Sequence, residues 1–118
     1  CGEDFAVFIG TDDNVLEGFA LGARGWVSGT ANLLPRLCVE LYETAVERND
    51  FTAARQMYYE MSDLLDKIED YGFIQNIKAG LEMLGLEAGP PRPPLLPVSE
   101  SDREVIRSLL ARFTEIPA

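Results

Sequence analysis

Apolar residues run unbroken from Phe5 to Ile9 and stop at Gly10. Continuous rather than alternating apolarity is what a strand covered on both faces requires, so a buried parallel strand is expected at about residues 5–10. Turn formers and acidic residues follow in Gly10-Thr11-Asp12-Asp13-Asn14. Val15, Leu16, Phe19, Ala20 and Ala23 then recur at helical spacing, which predicts a helix packed on that strand. Gly22 and Gly25 bracket a short connection into Trp26-Val27-Ser28-Gly29-Thr30, β-favouring at its start, and a second strand is expected at about 25–29. Strand, helix and strand so closely spaced form a βαβ unit, and its right-handed crossover makes the two strands parallel.

From Leu33 onward only helical periodicity remains. Leu34, Leu37, Cys38, Leu41, Tyr42 and Ala45 mark one apolar face. After a break at Asn49-Asp50, Ala54, Met57, Tyr58, Met61, Leu64, Leu65 and Ile68 mark another, giving a helical hairpin. A further helix is expected from about Phe73 to Leu84, stopped by Gly85 and Gly89. Gly89-Pro90-Pro91-Arg92-Pro93-Pro94 lies within a Pro-rich linker over 89–97 that cannot be helical and should run extended across a surface. A last helix begins at Ser99 or Ser101, each with an acidic residue three positions on, and presents Val105, Ile106, Leu109, Leu110 and Phe113.

Composition narrows the chemistry. A 47% hydrophobic chain of 118 residues can bury a modest core, which argues for folded structure. Its 20 acidic and 10 basic residues give a formal charge of -10, which argues against nucleic acid or an anionic membrane surface as a partner. No apolar run approaches the roughly 20 residues of a membrane span. Cys1 and Cys38 make neither a disulfide framework nor a metal-ligand spacing; Cys38, inside an apolar stripe, reads as a small buried hydrophobe, and a reducing, cytoplasmic setting fits. With no histidine, Ser-His and Cys-His catalysis and imidazole zinc sites are excluded for this chain by itself.

Two parallel strands make no viable sheet alone, since each outer edge exposes unpaired backbone groups. The chain is therefore expected to be a piece of a larger fold, with a helical domain bearing a two-stranded flap as the alternative. Phe5 to Gly10 with Thr11-Asp12-Asp13, and then Gly22-Ala23-Arg24-Gly25-Trp26-Val27-Ser28-Gly29-Thr30-Ala31-Asn32, resemble strands seven and eight of the dihydrodipicolinate synthase and N-acetylneuraminate lyase family. Asp50-Phe51-Thr52-Ala53-Ala54-Arg55, Ile77-Lys78-Ala79-Gly80-Leu81-Glu82-Met83-Leu84-Gly85 and Arg92-Pro93-Pro94-Leu95-Leu96-Pro97 are similar to that family's three-helix C-terminal extension. The resemblance implies an α/β fold, mostly α by content: the last two βα units of a (β/α)8 TIM barrel over 1–48, followed by a C-terminal helical extension over 49–118.

It also implies a pyruvate-dependent Schiff-base lyase or synthase, most like 4-hydroxy-tetrahydrodipicolinate synthase; a sialate lyase or a 2-keto-3-deoxy acid aldolase or dehydratase of the same family is the alternative. Pyruvate or another 2-oxo acid, the remainder of the barrel and further copies of the subunit, as a tetramer, are the implied partners, and no cofactor is called for. In the family a lysine ending strand six forms the Schiff base and a tyrosine from strand five shuttles the proton. Both would precede Cys1, so no catalytic residue is expected here and the chain alone is expected to be inactive. A nucleophilic lysine must be desolvated at the barrel mouth. Lys67, among Asp66, Glu69 and Asp70, reads instead as a paired surface charge, and Lys78 as a packing or subunit contact; Tyr42, Tyr58, Tyr59 and Tyr71 all fall on or beside helices.

What remains at the strand ends is Gly10, Thr11, Asp12, Asp13, Val27 and Gly29, the expected substrate-binding residues, since barrel active sites are built at such ends. By resemblance Gly10 lets the backbone approach substrate, Val27 walls the pyruvate pocket and offers its carbonyl, and Gly29 stands where sialate-cleaving members have serine. Asp12 and Asp13 match a pair that contacts the hydroxylated tail there, the second more usually glutamate. Helix capping reads equally well for both. A magnesium site of Asp12, Asp13 and Glu17 is a minor reading, and no metal is expected. A non-enzymatic helical module, suggested by the Leu37–Ile68 hairpin, is the alternative from another class; no repeat at a fixed period supports it.

Overall fold

In the computed structural model, which describes residues 2 and 4–117, β1 (Phe8–Ile9) and β2 (Gly25–Trp26) pair in parallel, Phe8 opposite Gly25 and Ile9 opposite Trp26. Cys1 lies outside the described residues. Both strands are shorter than the sequence suggests, because ladder pairing requires two chains side by side and each has a single neighbour here. Flanking bonds from Arg24 N to the Val7 carbonyl (2.8 Å) and from Val27 N to the Ile9 carbonyl (2.9 Å) extend the contact by one rung at each end.

The expected burial of the first strand on both faces is not found. Phe5, Val7 and Phe8 are 62%, 48% and 59% exposed, while Ile9 packs against the core. Only one face of the pair is covered within this chain. The cover is α1 (Val15–Ala20), whose Val15 and Phe19 are buried.

A 3-10 turn (Thr30–Asn32) leads into α2 (Pro35–Tyr42), which starts on Pro35, where a missing N–H costs nothing, and continues as a π turn over Glu43–Glu47. The wider turn has a local partner: Thr44 Oγ1 donates to the Glu40 carbonyl at 2.6 Å. Asn49, at φ 53°, breaks the helix, and the Asp50 side chain accepts from Ala53 N at 3.0 Å to cap α3 (Phe51–Glu69). α4 (Phe73–Met83) ends where Gly85 takes φ 77° and Leu86 N reaches back to the Leu81 carbonyl at 2.9 Å. No helix among the described residues is long and apolar enough to cross a membrane.

The Pro-rich linker is non-helical and is held by a lysine: Lys78 Nζ donates to the carbonyls of Ala88 (2.6 Å) and Gly89 (3.3 Å). Ser99 caps α5 (Glu100–Leu110), accepting from Asp102 N at 3.1 Å, and so decides between the two candidate starts. Val105, expected on the apolar face of α5, is exposed, whereas Ile106 and Leu110 are fully buried.

The core forms two clusters that share α3. Val15, Phe19, Cys38, Leu41 and Ala45 meet Ala54, Met61 and Leu65; Leu64 and Ile68 meet Leu33, Leu34, Ile77, Met83, Ile106 and Leu110. Gly80 lets α4 approach the chain entering α2, because a Cβ there would lie 2.8 Å from Leu33 Cδ2. The hairpin of α2 and α3 thus packs onto a βαβ unit on one side and onto α4 and α5 on the other, not onto a copy of itself.

Candidate active-site wall at the strand ends

Because the strands are parallel, the segments that leave them emerge at the same end of the sheet. The Val27 N to Ile9 carbonyl bond sets Gly10 and Val27 side by side there. Gly10 and Thr11 are exposed, Val27 is 66% exposed, and nothing lies within 4 Å of a Cβ built on Gly10. These three residues form an open wall.

Asp12 faces the other way. Its side chain is wholly buried, and its carboxylate accepts from Trp26 Nε1 (2.9 Å), Gly29 N (3.2 Å) and Thr30 N (2.6 Å). A buried carboxylate needs such donors to offset lost hydration. With no exposed surface it is not placed to touch a small molecule, and further protein around it could only add burial. It is equally unavailable to a magnesium ion shared with Asp13 and Glu17. Nor does it cap α1, where no side chain caps Asn14's helix end; it serves the turn that starts at Thr30. Asp12 thus ties the loop after β1 to the loop after β2 through its carboxylate.

Asp13 is half-buried: its carboxylate accepts from Asn14 Nδ2 at 3.2 Å, and its carbonyl accepts from the Tyr58 hydroxyl. Burial, then the nearby Glu17 charge, pushes the Tyr58 hydroxyl above its ordinary pKa, which keeps it protonated as a donor. Gly29 lies under an aromatic ring; a Cβ there would lie 2.3 Å from Phe73 Cζ and 2.6 Å from Cε2. Ser28 Oγ accepts from Ala31 N at 3.0 Å and lies 3.8 Å from Cys38 Sγ. Burial pushes the Cys38 thiol up to about 11, so it stays an uncharged packing group.

The lysines are occupied elsewhere. Lys67 Nζ lies 2.7 Å from Asp102 and 3.7 Å from Asp70, and Lys78 holds the linker. The paired reading of Lys67 gains a partner from α5, and its side chain is only 14% exposed.

Four residues that matter to this end of the molecule carried no legible sign of their part in it, whatever their place in an element: Trp26, Tyr58, Glu69 and Phe73. Glu69 Oε1 accepts from Asp12 N at 2.6 Å across 57 residues of sequence. Such separations leave no local periodicity to read.

Fold and strand ends together define a mostly helical α/β protein that presents residues at the C-terminal ends of parallel strands. The chain belongs to the dihydrodipicolinate synthetase family, whose model matches residues 1–113. It is 36% identical to a 4-hydroxy-tetrahydrodipicolinate synthase of Methanospirillum hungatei over 94% of this chain and 38% of the relative. It is 35% identical to one of Methanopyrus kandleri over 98% of this chain and 38% of the relative. Among solved structures it superposes on a dihydrodipicolinate synthase of Aquifex aeolicus with a TM-score of 0.88 and 32% identity, covering 95% of this chain and 38% of that one. The chain thus spans less than two fifths of the length of these relatives.

Proposed function

We propose that this chain supplies the last two βα units and the helical tail of a (β/α)8 enzyme that joins or cleaves a 2-oxo acid through a lysine Schiff base, most like 4-hydroxy-tetrahydrodipicolinate synthase. The observation that carries the reading is the juxtaposition of Gly10, Thr11 and Val27 at the shared end of two parallel strands, the position from which barrel enzymes build their sites. The names of the relatives favour the synthase over a sialate lyase. So does Gly29, where a serine side chain would meet Phe73.

On this reading the amine of a lysine outside this chain condenses with the keto carbon of pyruvate, releasing water. Proton loss from the methyl carbon gives an enamine that attacks an aldehyde. Gly10 lets the backbone come close to the acid, the Val27 carbonyl and side chain wall it in, and Thr11 and Asp13 border the acceptor side. The exposed Phe5, Val7 and Phe8 are covered by the rest of the barrel, and the subunit works in a cytoplasmic homo-oligomer.

Treating the longer protein with pyruvate and borohydride is expected to leave one stable reduced adduct, located by peptide mapping. The same treatment of residues 1–118 alone is expected to leave none. An unmodified longer protein, or an adduct on Lys67 or Lys78, would overturn the proposal.

A further inference from the structure

We infer that Glu69, the last residue of α3, is a positioning residue for the pocket wall, acting through the buried Asp12. The inference rests on the 2-oxo acid reading above and deepens it.

Asp12 links both loops at the strand ends. Its carboxylate gathers the N–H groups of Gly29 and Thr30 and the Trp26 indole, fixing the loop after β2, while its own backbone lies between Thr11 and Asp13 in the loop after β1. The backbone N–H of Asp12 is held in turn from the tail, by Glu69 Oε1 at 2.6 Å. Tyr58, also on α3, takes the neighbouring Asp13 carbonyl. One helix of the tail therefore grips the wall at two consecutive residues.

Apart from Lys67 in the same last turn of α3, the surroundings of Glu69 on its own helix are electrostatically adverse. A carboxylate at a helix C-terminus opposes the helix dipole. Asp66 and Asp70 flank it on the same segment, and the carboxylate of Asp12 lies on the residue it binds. A charge-assisted hydrogen bond to an N–H that would otherwise lose its partner is the compensating contact. Without it the loop carrying Gly10 and Thr11 keeps its bonds to Val27 and Tyr58 but loses the one at Asp12 N, and the Thr11 side of the wall gains room to shift relative to Val27. Ground-state binding of the acid then weakens, while the lysine chemistry, which resides elsewhere, is left in place.

The test is steady-state kinetics of the longer protein with pyruvate varied. Glu69→Ala is expected to raise KM for pyruvate about fivefold to tenfold with kcat within about twofold. Glu69→Gln, which keeps an acceptor oxygen, is expected to restore KM to near the wild-type value. An unchanged KM in Glu69→Ala overturns the inference, as does an equal rise in both variants, which would assign the effect to charge rather than to the acceptor. Should Glu69→Ala not fold, Glu69→Asp, whose carboxylate stops one methylene short, is expected to raise KM and overturns the inference if it does not. A wild-type protein that forms no borohydride-stable pyruvate adduct removes the underlying reading; one that forms it while Glu69→Ala keeps its KM removes only this inference.

Discussion

Phe73 occupies the space that any side chain at Gly29 would need. Gly29 has φ -73° and ψ -40°, a conformation open to every residue, so the ring and not the backbone is what glycine accommodates. Gly29→Ser is expected to destabilise the protein by about 1 kcal/mol, at the low end for overpacking because the 38% exposed ring can swing outward. A double-mutant cycle with Phe73→Ala, read by thermal unfolding, checks this: the serine should cost less once the ring is gone, and an equal cost in both backgrounds would show that the contact does not limit the site. At this scale the sequence points to the loops after the two strands but does not assign the directions of their side chains. Asp12 and Asp13 are adjacent acids with the same local signature, and only packing turns the first inward and leaves the second half-buried.

Between elements, α5 and the turn that follows it are fastened to α3 by polar contacts. Lys67 bonds Asp102, and Arg112 bonds Asp63 at 2.8 Å and the Glu60 carbonyl at 3.0 Å. The hydrogen bond from Lys67, aided by Ser99, holds the Asp102 carboxyl below its ordinary 3.8. Protons therefore bind the unfolded chain more readily than the folded one at this group. Its contribution to stability is present above pH about 4 and fades as pH falls through the lowered value. The melting temperature of wild type minus that of Asp102→Asn is expected to be positive and flat near neutral pH and to vanish in acid; a difference that persists below the lowered value would exclude the pair as its source. The helices themselves were largely legible, because burial of one face imposes a 3.6-residue period on the residues of that face. The π turn at Glu43–Glu47 was not, since its apolar spacing resembles that of an ordinary helix.

For the whole molecule, the covered and uncovered faces of the strand pair are the decisive contrast. Phe5, Val7, Phe8 and Val27 are all exposed around the strand pair, with only a formal charge of -10 to keep the surface soluble. Residues 1–118 in isolation are expected to bind a hydrophobic dye or self-associate at neutral pH, and the longer protein to do neither through these residues. A dye-free monomeric isolate would show that the strand face needs no cover. The sequence by itself determined the order of strand, helix, strand and helices, the buried helical faces, the Ser99-region cap and the family, because each is written in neighbours a few residues apart. Only the tertiary structure decided that Asp12 points inward, that Glu69 holds its backbone and that Phe73 covers Gly29. Those contacts join residues 14 to 57 positions apart, or lie against an element from the far end of the chain, and no local pattern encodes which of several similar side chains will meet.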